Sequence, residues 1–206
     1  MITSIHSPFI EYKLTILRNK KTTNSLFRQT MNEVSYLIAA EVLKYLTYDN
    51  ITISTPLKKT KGKKLAQQII LVPILRAGLG LLEGFIKFLP EAEKGHIGLY
   101  RDEQTYKPVE YLFKLPKTKN KKVIILDPML ATGHSSIAAI NLVLGKGVKT
   151  KDIFLVSLLS SPEGIKNIQK THKSLHIFTC KIDIKLNKDK FIVPGLGDAG
   201  DRYMGT

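Results

Sequence analysis

A chain of 206 residues, 43% hydrophobic and 24% charged, is long enough to bury one sizeable core and too apolar to remain disordered. Its 32 lysines and arginines against 17 carboxylates give a formal charge of +15, and its single cysteine, Cys180, excludes an internal disulfide and any CxxC metal site. No apolar run reaches the roughly 18 residues of a membrane span, and M-I-T-S-I-H-S-P-F lacks the regions of a secretory signal, so a cytoplasmic protein without a membrane partner is expected.

In chain order, residues 26–45 place Phe27, Met31, Val34, Ile38, Val42 and Tyr45 at spacings of three and four. This predicts a helix with one apolar face, capped at Asn24 or Ser25. Lys58 to Lys64 reads as a charged loop. Q-Q-I-I-L-V-P-I-L is a buried strand, and A-G-L-G-L-L-E-G-F-I-K-F-L-P a glycine-containing helix ended by Pro90. I-G-L-Y-R and V-E-Y-L-F-K-L are strands flanking the polar D-E-Q-T-Y-K-P. A strand over 122–127 hands over to a helix from Ser135 to Leu144, stopped at Gly145 and Gly147. D-I-F-L-V-S-L-L-S is another strand, and S-P-E-G-I-K-N-I-Q-K another helix, capped by Ser161 with Pro162 at its first position. L-H-I-F-T-C-K-I closes the alternation and makes Cys180 a packed core thiol. His172 and His176 fall on either side of a helix-to-strand break, which argues against a histidine metal site. Strands alternating with helices, the strands almost continuously apolar, predict one α/β domain over residues 1–206 with a mostly parallel sheet flanked by helices.

The lysines cluster at 58–64, 117–122, 146–151, 166–173 and 181–190, with few aromatics between them and no nucleic-acid motif. They predict a solvated basic surface that attracts small anions, with no specific nucleic-acid partner.

In an open parallel sheet, ligands bind beyond the carboxyl ends of the strands, and four stretches put polar groups there. In V-I-I-L-D-P-M-L-A-T-G-H-S-S a buried strand stops at Asp127, whose carboxylate can accept hydrogen bonds from a sugar diol. The A-T-G-H-S-S turn then presents amides and hydroxyls at a helix N-terminus, with Gly133 allowing close backbone approach to an anion. Together they describe a ribose 5-phosphate site, set against an ordinary strand–loop–helix junction. P-I-L-R-A-G-L-G places Arg76 directly after a strand, either as a surface residue or as a bidentate phosphate donor. It is one of only five arginines. Arg101 falls on the flap of the hairpin, so that two arginines near one pocket suit pyrophosphate. Four glycines around Asp198 and Asp201 in F-I-V-P-G-L-G-D-A-G-D-R make either a plain turn or a surface that reads a flat ring through main-chain groups.

With these four assembled, the chain closely resembles the uracil phosphoribosyltransferases, of the type I phosphoribosyltransferase fold. The matching stretches are H-S-P-F-I-E-Y-K-L, P-I-L-R-A-G-L-G, Y-R-D-E, L-D-P-M-L-A-T-G, S-P-E-G-I and I-V-P-G-L-G-D-A-G-D-R-Y-M-G-T, running in family order from about residue 6 to the end. The resemblance implies a parallel sheet with a β-hairpin flap and a C-terminal base-binding loop. It implies transfer of the ribose phosphate of phosphoribosyl pyrophosphate (PRPP) to N1 of uracil, giving UMP and pyrophosphate in pyrimidine salvage. Asp127 would then hold the ribose hydroxyls. PRPP would also be held by Pro128, Met129, Leu130, Ala131, Thr132, Gly133, His134 and Ser135, with the 5′-phosphate on Leu130 to Ser135. Arg76 and Arg101 would grip pyrophosphate, Asp198 would act on the PRPP–Mg²⁺ side, and main-chain groups of Ile192, Gly197, Asp198 and Ala199 would read uracil. Catalysis would rest on Arg76, Arg101 and Asp198 without a protein nucleophile. Mg²⁺ would be held mainly through PRPP, with no direct protein ligand. A homo-oligomer and, as in some members, activation by GTP are also implied.

Three departures stand out. His134 occupies the place of a second glycine in the family's T-G-G-S, where an outward-pointing side chain is expected. Phe191 replaces a tyrosine beside the uracil loop, and D-I-K-L-N differs from D-E-G-L-N. The competing readings are a phosphoribosyltransferase for another base and an RNA-binding pyrimidine regulator on the same fold, the latter suggested by the charge. Enrichment in Lys, Ile and Asn also fits an AT-rich genome, so a plastid-encoded stromal enzyme is the alternative to a cytoplasmic one.

Overall fold

The computed structural model describes residues 1–101 and 108–206, with the side chains of Arg101 and Pro108 outside the description. The strands are β1 (Ile2–Ser4), β2 (Tyr48–Ser54), β3 (Lys59–Leu65), β4 (Gln68–Leu75), β5 (Glu93–Lys94), β6 (His96–Arg101), β7 (Pro108–Lys114), β8 (Lys121–Leu126), β9 (Met129–Leu130), β10 (Ile153–Ser160), β11 (His176–Ile182), β12 (Lys185–Leu186) and β13 (Ile192–Val193). The helices are α1 (Pro8–Arg18), α2 (Asn24–Leu43), α3 (Leu79–Phe88), α4 (His134–Leu144), α5 (Pro162–Thr171) and α6 (Ala199–Met204).

The main sheet runs β1-β11-β10-β8-β4-β6-β7. Every pairing along it is parallel except β6 with β7, which form the flap hairpin with a register shift at Gly98/Leu99. Both faces are covered, which is why its strands read as unbroken apolar runs. Ile69 and Leu71 of β4, Ile124 and Leu126 of β8, and Phe178 and Cys180 of β11 pack toward α1, α2 and α3. Their neighbours Ile70, Val72, Val123, Ile125 and Ile177 pack toward α4 and α5. Each such side chain, fully buried, contributes roughly 1.5–3 kcal/mol, so the centre of the sheet is a rigid platform. Cys180 is buried, and burial pushes its thiol up to about 12, in keeping with a packed residue.

Three expectations need correction. Lys58 to Lys64 is not a loop: Lys59–Leu65 forms strand β3, paired antiparallel with β2 in a separate two-stranded ribbon. Its lysines 59, 61 and 63 lie opposite Ser54, Thr52 and Asn50, while Ile51 and Ile53 face Gly62 and Thr60. Helix α2 begins at Asn24 behind Thr23, whose hydroxyl accepts the Leu26 N–H. Asn24 is occupied elsewhere, its amide donating to the carbonyls of Arg202 and Tyr203. The same helix ends at Leu43, which leaves Tyr45 outside it and exposed. Helix α1, with a Ser7 cap and Pro8 at its start, packs Ile10, Leu14 and Leu17 into the core; the sequence reading assigned no element to these residues.

Candidate active site

Strand β8 ends at Leu126, and Asp127 follows at the carboxyl edge of the sheet. Its amide still donates to Val156 of β10, which fixes the direction of the side chain. The residue as a whole is 9% exposed. Ser136 Oγ donates to its Oδ2 at 2.8 Å, and the Met129 amide approaches Oδ1 at 3.4 Å. Burial pushes the group up to about 6, and these two hydrogen bonds oppose that rise.

The loop after Asp127 is held from behind. Pro128 accepts from the amides of Leu158 and Leu159. The Leu130 carbonyl accepts the Ser161 amide, the Ala131 carbonyl the Ser161 hydroxyl at 2.6 Å, and the Thr132 carbonyl the Asn167 side chain at 3.0 Å. The Gly133 carbonyl accepts the Ile137 amide inside the start of α4. With these carbonyls tied down, the amides of Thr132, Gly133, Ser135 and Ser136 donate to no group among the described residues. Such a row of free amides at a helix N-terminus is an anion cradle. Two glycines permit it. Gly133 takes φ 84°, a left-handed conformation. Gly164 lets α5 approach so closely that a Cβ there would meet the Ala131 carbonyl oxygen at 2.3 Å.

Opposite the cradle lies the segment from β12 to α6. Asp183 is buried and receives both arms of Arg18, at 2.7 and 2.8 Å, together with the Gly195 amide at 2.9 Å. Arg202 lies over the Phe27 ring and donates to the carbonyls of Leu17, Leu196 and Asn19. These stays hold the glycine loop against α1 and α2. Asp198 caps α6, its Oδ1 accepting the Asp201 amide at 2.9 Å.

Between the two halves lies a cavity of about 280 Å³. Its walls include Asp127, Met129, Ala131 to Ser135, Ile192 and Gly197 to Ala199, so the two stretches singled out in the sequence meet in one place. Pro128 and Leu130 are buried behind it. Arg76 is not among the residues that line the cavity, although its neighbour Ala77 is; its guanidinium donates to Asp201 Oδ1 at 2.7 Å. The side chain of Arg101 falls outside the described residues.

His134 is exposed on the wall as the first residue of α4, where the right-handed backbone suits any residue; the left-handed demand falls on Gly133. Phe191 also lines the cavity, and its amide and carbonyl are held by Asn187. In the D-I-K-L-N departure, Ile184 is 76% exposed while Asp183 and Asn187 make these anchoring bonds, so the change falls on the solvent side. The sequence reading missed Ser136, Asn167, Asp189 and Lys190. Lys190 lines the cavity at φ 65°. Ser136 stood in the quoted stretch, one helical position beyond the residues chosen.

Residues 4–206 match the family described as uracil phosphoribosyltransferase. A uracil phosphoribosyltransferase from Clostridium perfringens is 50% identical over 207 residues, covering 100% of this chain and 98% of its own. A solved protein structure from Aquifex aeolicus has a TM-score of 0.92 at 35% identity, covering 98% of this chain and 97% of that one. A hypoxanthine-guanine phosphoribosyltransferase from Bacillus anthracis, at 12% identity and TM-score 0.51 over 78% of this chain and 80% of that one, shares the fold alone. At such identity along its whole length, the chain belongs to the uracil phosphoribosyltransferase family.

Proposed function

We propose that the cavity binds PRPP and uracil together and forms UMP and pyrophosphate. The observation that carries this is the loop from Leu130 to Gly133, whose carbonyls are bound from behind while the amides of Thr132, Gly133, Ser135 and Ser136 are left for an anion, directly beside a buried carboxylate. A ribose 5-phosphate offers the complementary groups: a diol for Asp127 and a phosphate for the amides of Thr132 to Ser136. On the other wall, rigid main-chain groups of Ile192 and Gly197 to Ala199 suit the fixed donors and acceptors of a uracil edge. As the bond at C1 of the ribose breaks, negative charge gathers on pyrophosphate and C1 becomes cation-like. Arg76 and Arg101 meet the departing charge, so no protein nucleophile is needed.

Among the described residues no cluster of three metal-ligating side chains exists. Mg²⁺ takes most of its ligands from phosphates and water with one or two carboxylates, so Asp198 on the cavity wall fits a cation carried in by PRPP. When bound, that ion neutralises charge on the pyrophosphate.

The reading extends to a homo-oligomer, which the exposed Ile53 and Leu57 of the β2–β3 ribbon favour, and to a cytoplasmic enzyme acting on soluble metabolites. No described helix is long and apolar enough to cross a membrane. Incubation with PRPP and Mg²⁺ in the presence of uracil, cytosine or hypoxanthine tests the assignment. UMP is expected from uracil and no nucleotide from the others; a product with another base, or none, contradicts it. GTP added to the same assay reads out activation.

A further inference from the structure

We propose that Asp201 is the positioning residue for Arg76. This rests on the reading above, in which Arg76 meets pyrophosphate. Arg76 leaves the carboxyl end of β4 and reaches across to the C-terminal turn. There Nη2 donates to Asp201 Oδ1 at 2.7 Å, and Nη1 approaches the Thr206 hydroxyl at 3.3 Å. Asp201 is itself held by several hydrogen bonds. Its amide donates to Asp198 Oδ1 at 2.9 Å, its carbonyl accepts the Gly205 and Thr206 amides at 2.7 and 3.2 Å, and the Thr206 hydroxyl donates to Oδ1 at 3.2 Å. A guanidinium has five N–H donors, and these contacts use two. The remainder face no acceptor among the described residues. The arginine is thus anchored without being saturated, and its side chain is 51% exposed, within reach of a ligand.

The same network runs to the cavity. Asp198 lines it and caps the short helix that carries Asp201, so the loop proposed to read the base also sets the carboxylate that aims the arginine. Stability gives little reason for the pair. Two half-exposed partners contribute under about 1 kcal/mol, so the carboxylate can be removed without losing the fold.

Steady-state kinetics of Asp201→Ala, Asp201→Glu, Arg76→Ala and the Arg76→Ala/Asp201→Ala double variant test the proposal. Asp201→Ala is expected to raise KM for PRPP by about 10-fold, the scale of a charge-assisted contact. KM for uracil and Tm stay near wild type, and Asp201→Glu recovers part of the loss. In the Arg76→Ala background, Asp201→Ala has less than about a twofold further effect, because both act through one group. An unchanged or lowered KM for PRPP in Asp201→Ala, or effects that multiply in the double variant, overturns the proposal alone. An Arg76→Ala enzyme with wild-type kinetics removes the pyrophosphate role of Arg76 and the proposal with it.

Discussion

Asp127 is a carboxylate at the end of a buried strand, and its environment sets its chemistry. With the folded group raised to about 6 by burial, the native state holds a proton that the unfolded chain releases nearer 3.8. The folded state is therefore favoured where the group is protonated, and loses stability as pH rises from about 4 through about 6. The shift corresponds to about 3 kcal/mol above that window. Asp127→Asn is expected to raise Tm by several degrees at pH 8 and to lose that advantage below pH 4, as scanning calorimetry can check. The same variant loses activity, since a diol is held best by an ionised acceptor. For the wild type, kcat/KM for PRPP is expected to rise with pH through about 6, with any limb that survives in Asp127→Asn belonging to the phosphates of PRPP. Ser136→Ala removes a hydrogen bond that lowers the Asp127 value, so its limb moves to higher pH. Arg76→Ala is expected to lower kcat/KM by on the order of 10²–10³, the cost of losing one charge-stabilising donor. The positions of Asp127 and Arg76 at strand ends were legible in the sequence because each ends an apolar strand abruptly. Ser136 was not, because its role depends on the first turn of α4 curling back over the strand.

At the level of elements, the anion cradle is made by α5 as much as by the loop itself. Ser161 and Asn167 hold the loop carbonyls, and Gly164 allows the contact. Gly164→Ala would press a methyl group into the Ala131 carbonyl. Expected losses are about 1–3 kcal/mol in stability, as for other overpacked sites, and at least about 10-fold in PRPP affinity as the amides turn from their common centre. Denaturant melts and isothermal titration measure both; unchanged PRPP affinity would show that the loop holds its shape without α5. None of this was visible in S-P-E-G-I-K-N, where Ser161 reads simply as a cap, because carbonyls from a distant loop leave no local signature. Strand β3 was misread as a charged loop for a different reason. Its alternation is carried by lysine, threonine and one glycine, so a pattern of period two lacks the apolar face that normally reveals it.

For the whole molecule, the alternation of strands and helices was enough to reach the parallel sheet, since both faces of β4, β8 and β10 are buried and their composition says so. What it could not place was the C-terminal loop: Arg18 to Asp183 and Arg202 to Leu17 and Asn19 are long-range stays between segments that read as unrelated. The net charge of +15 acts at this scale too. It draws an anionic donor toward the cavity, so kcat/KM for PRPP is expected to fall several-fold as ionic strength rises from roughly 20 to 500 mM, with KM for neutral uracil little changed. The central claim is that one cavity takes the sugar phosphate on the cradle side and the base on the glycine-loop side. Its most direct test is a crystal structure with PRPP and Mg²⁺ bound. The account predicts the 5′-phosphate within hydrogen-bond distance of the amides of Thr132 to Ser136 and the ribose hydroxyls on Asp127; a phosphate seated anywhere else contradicts it.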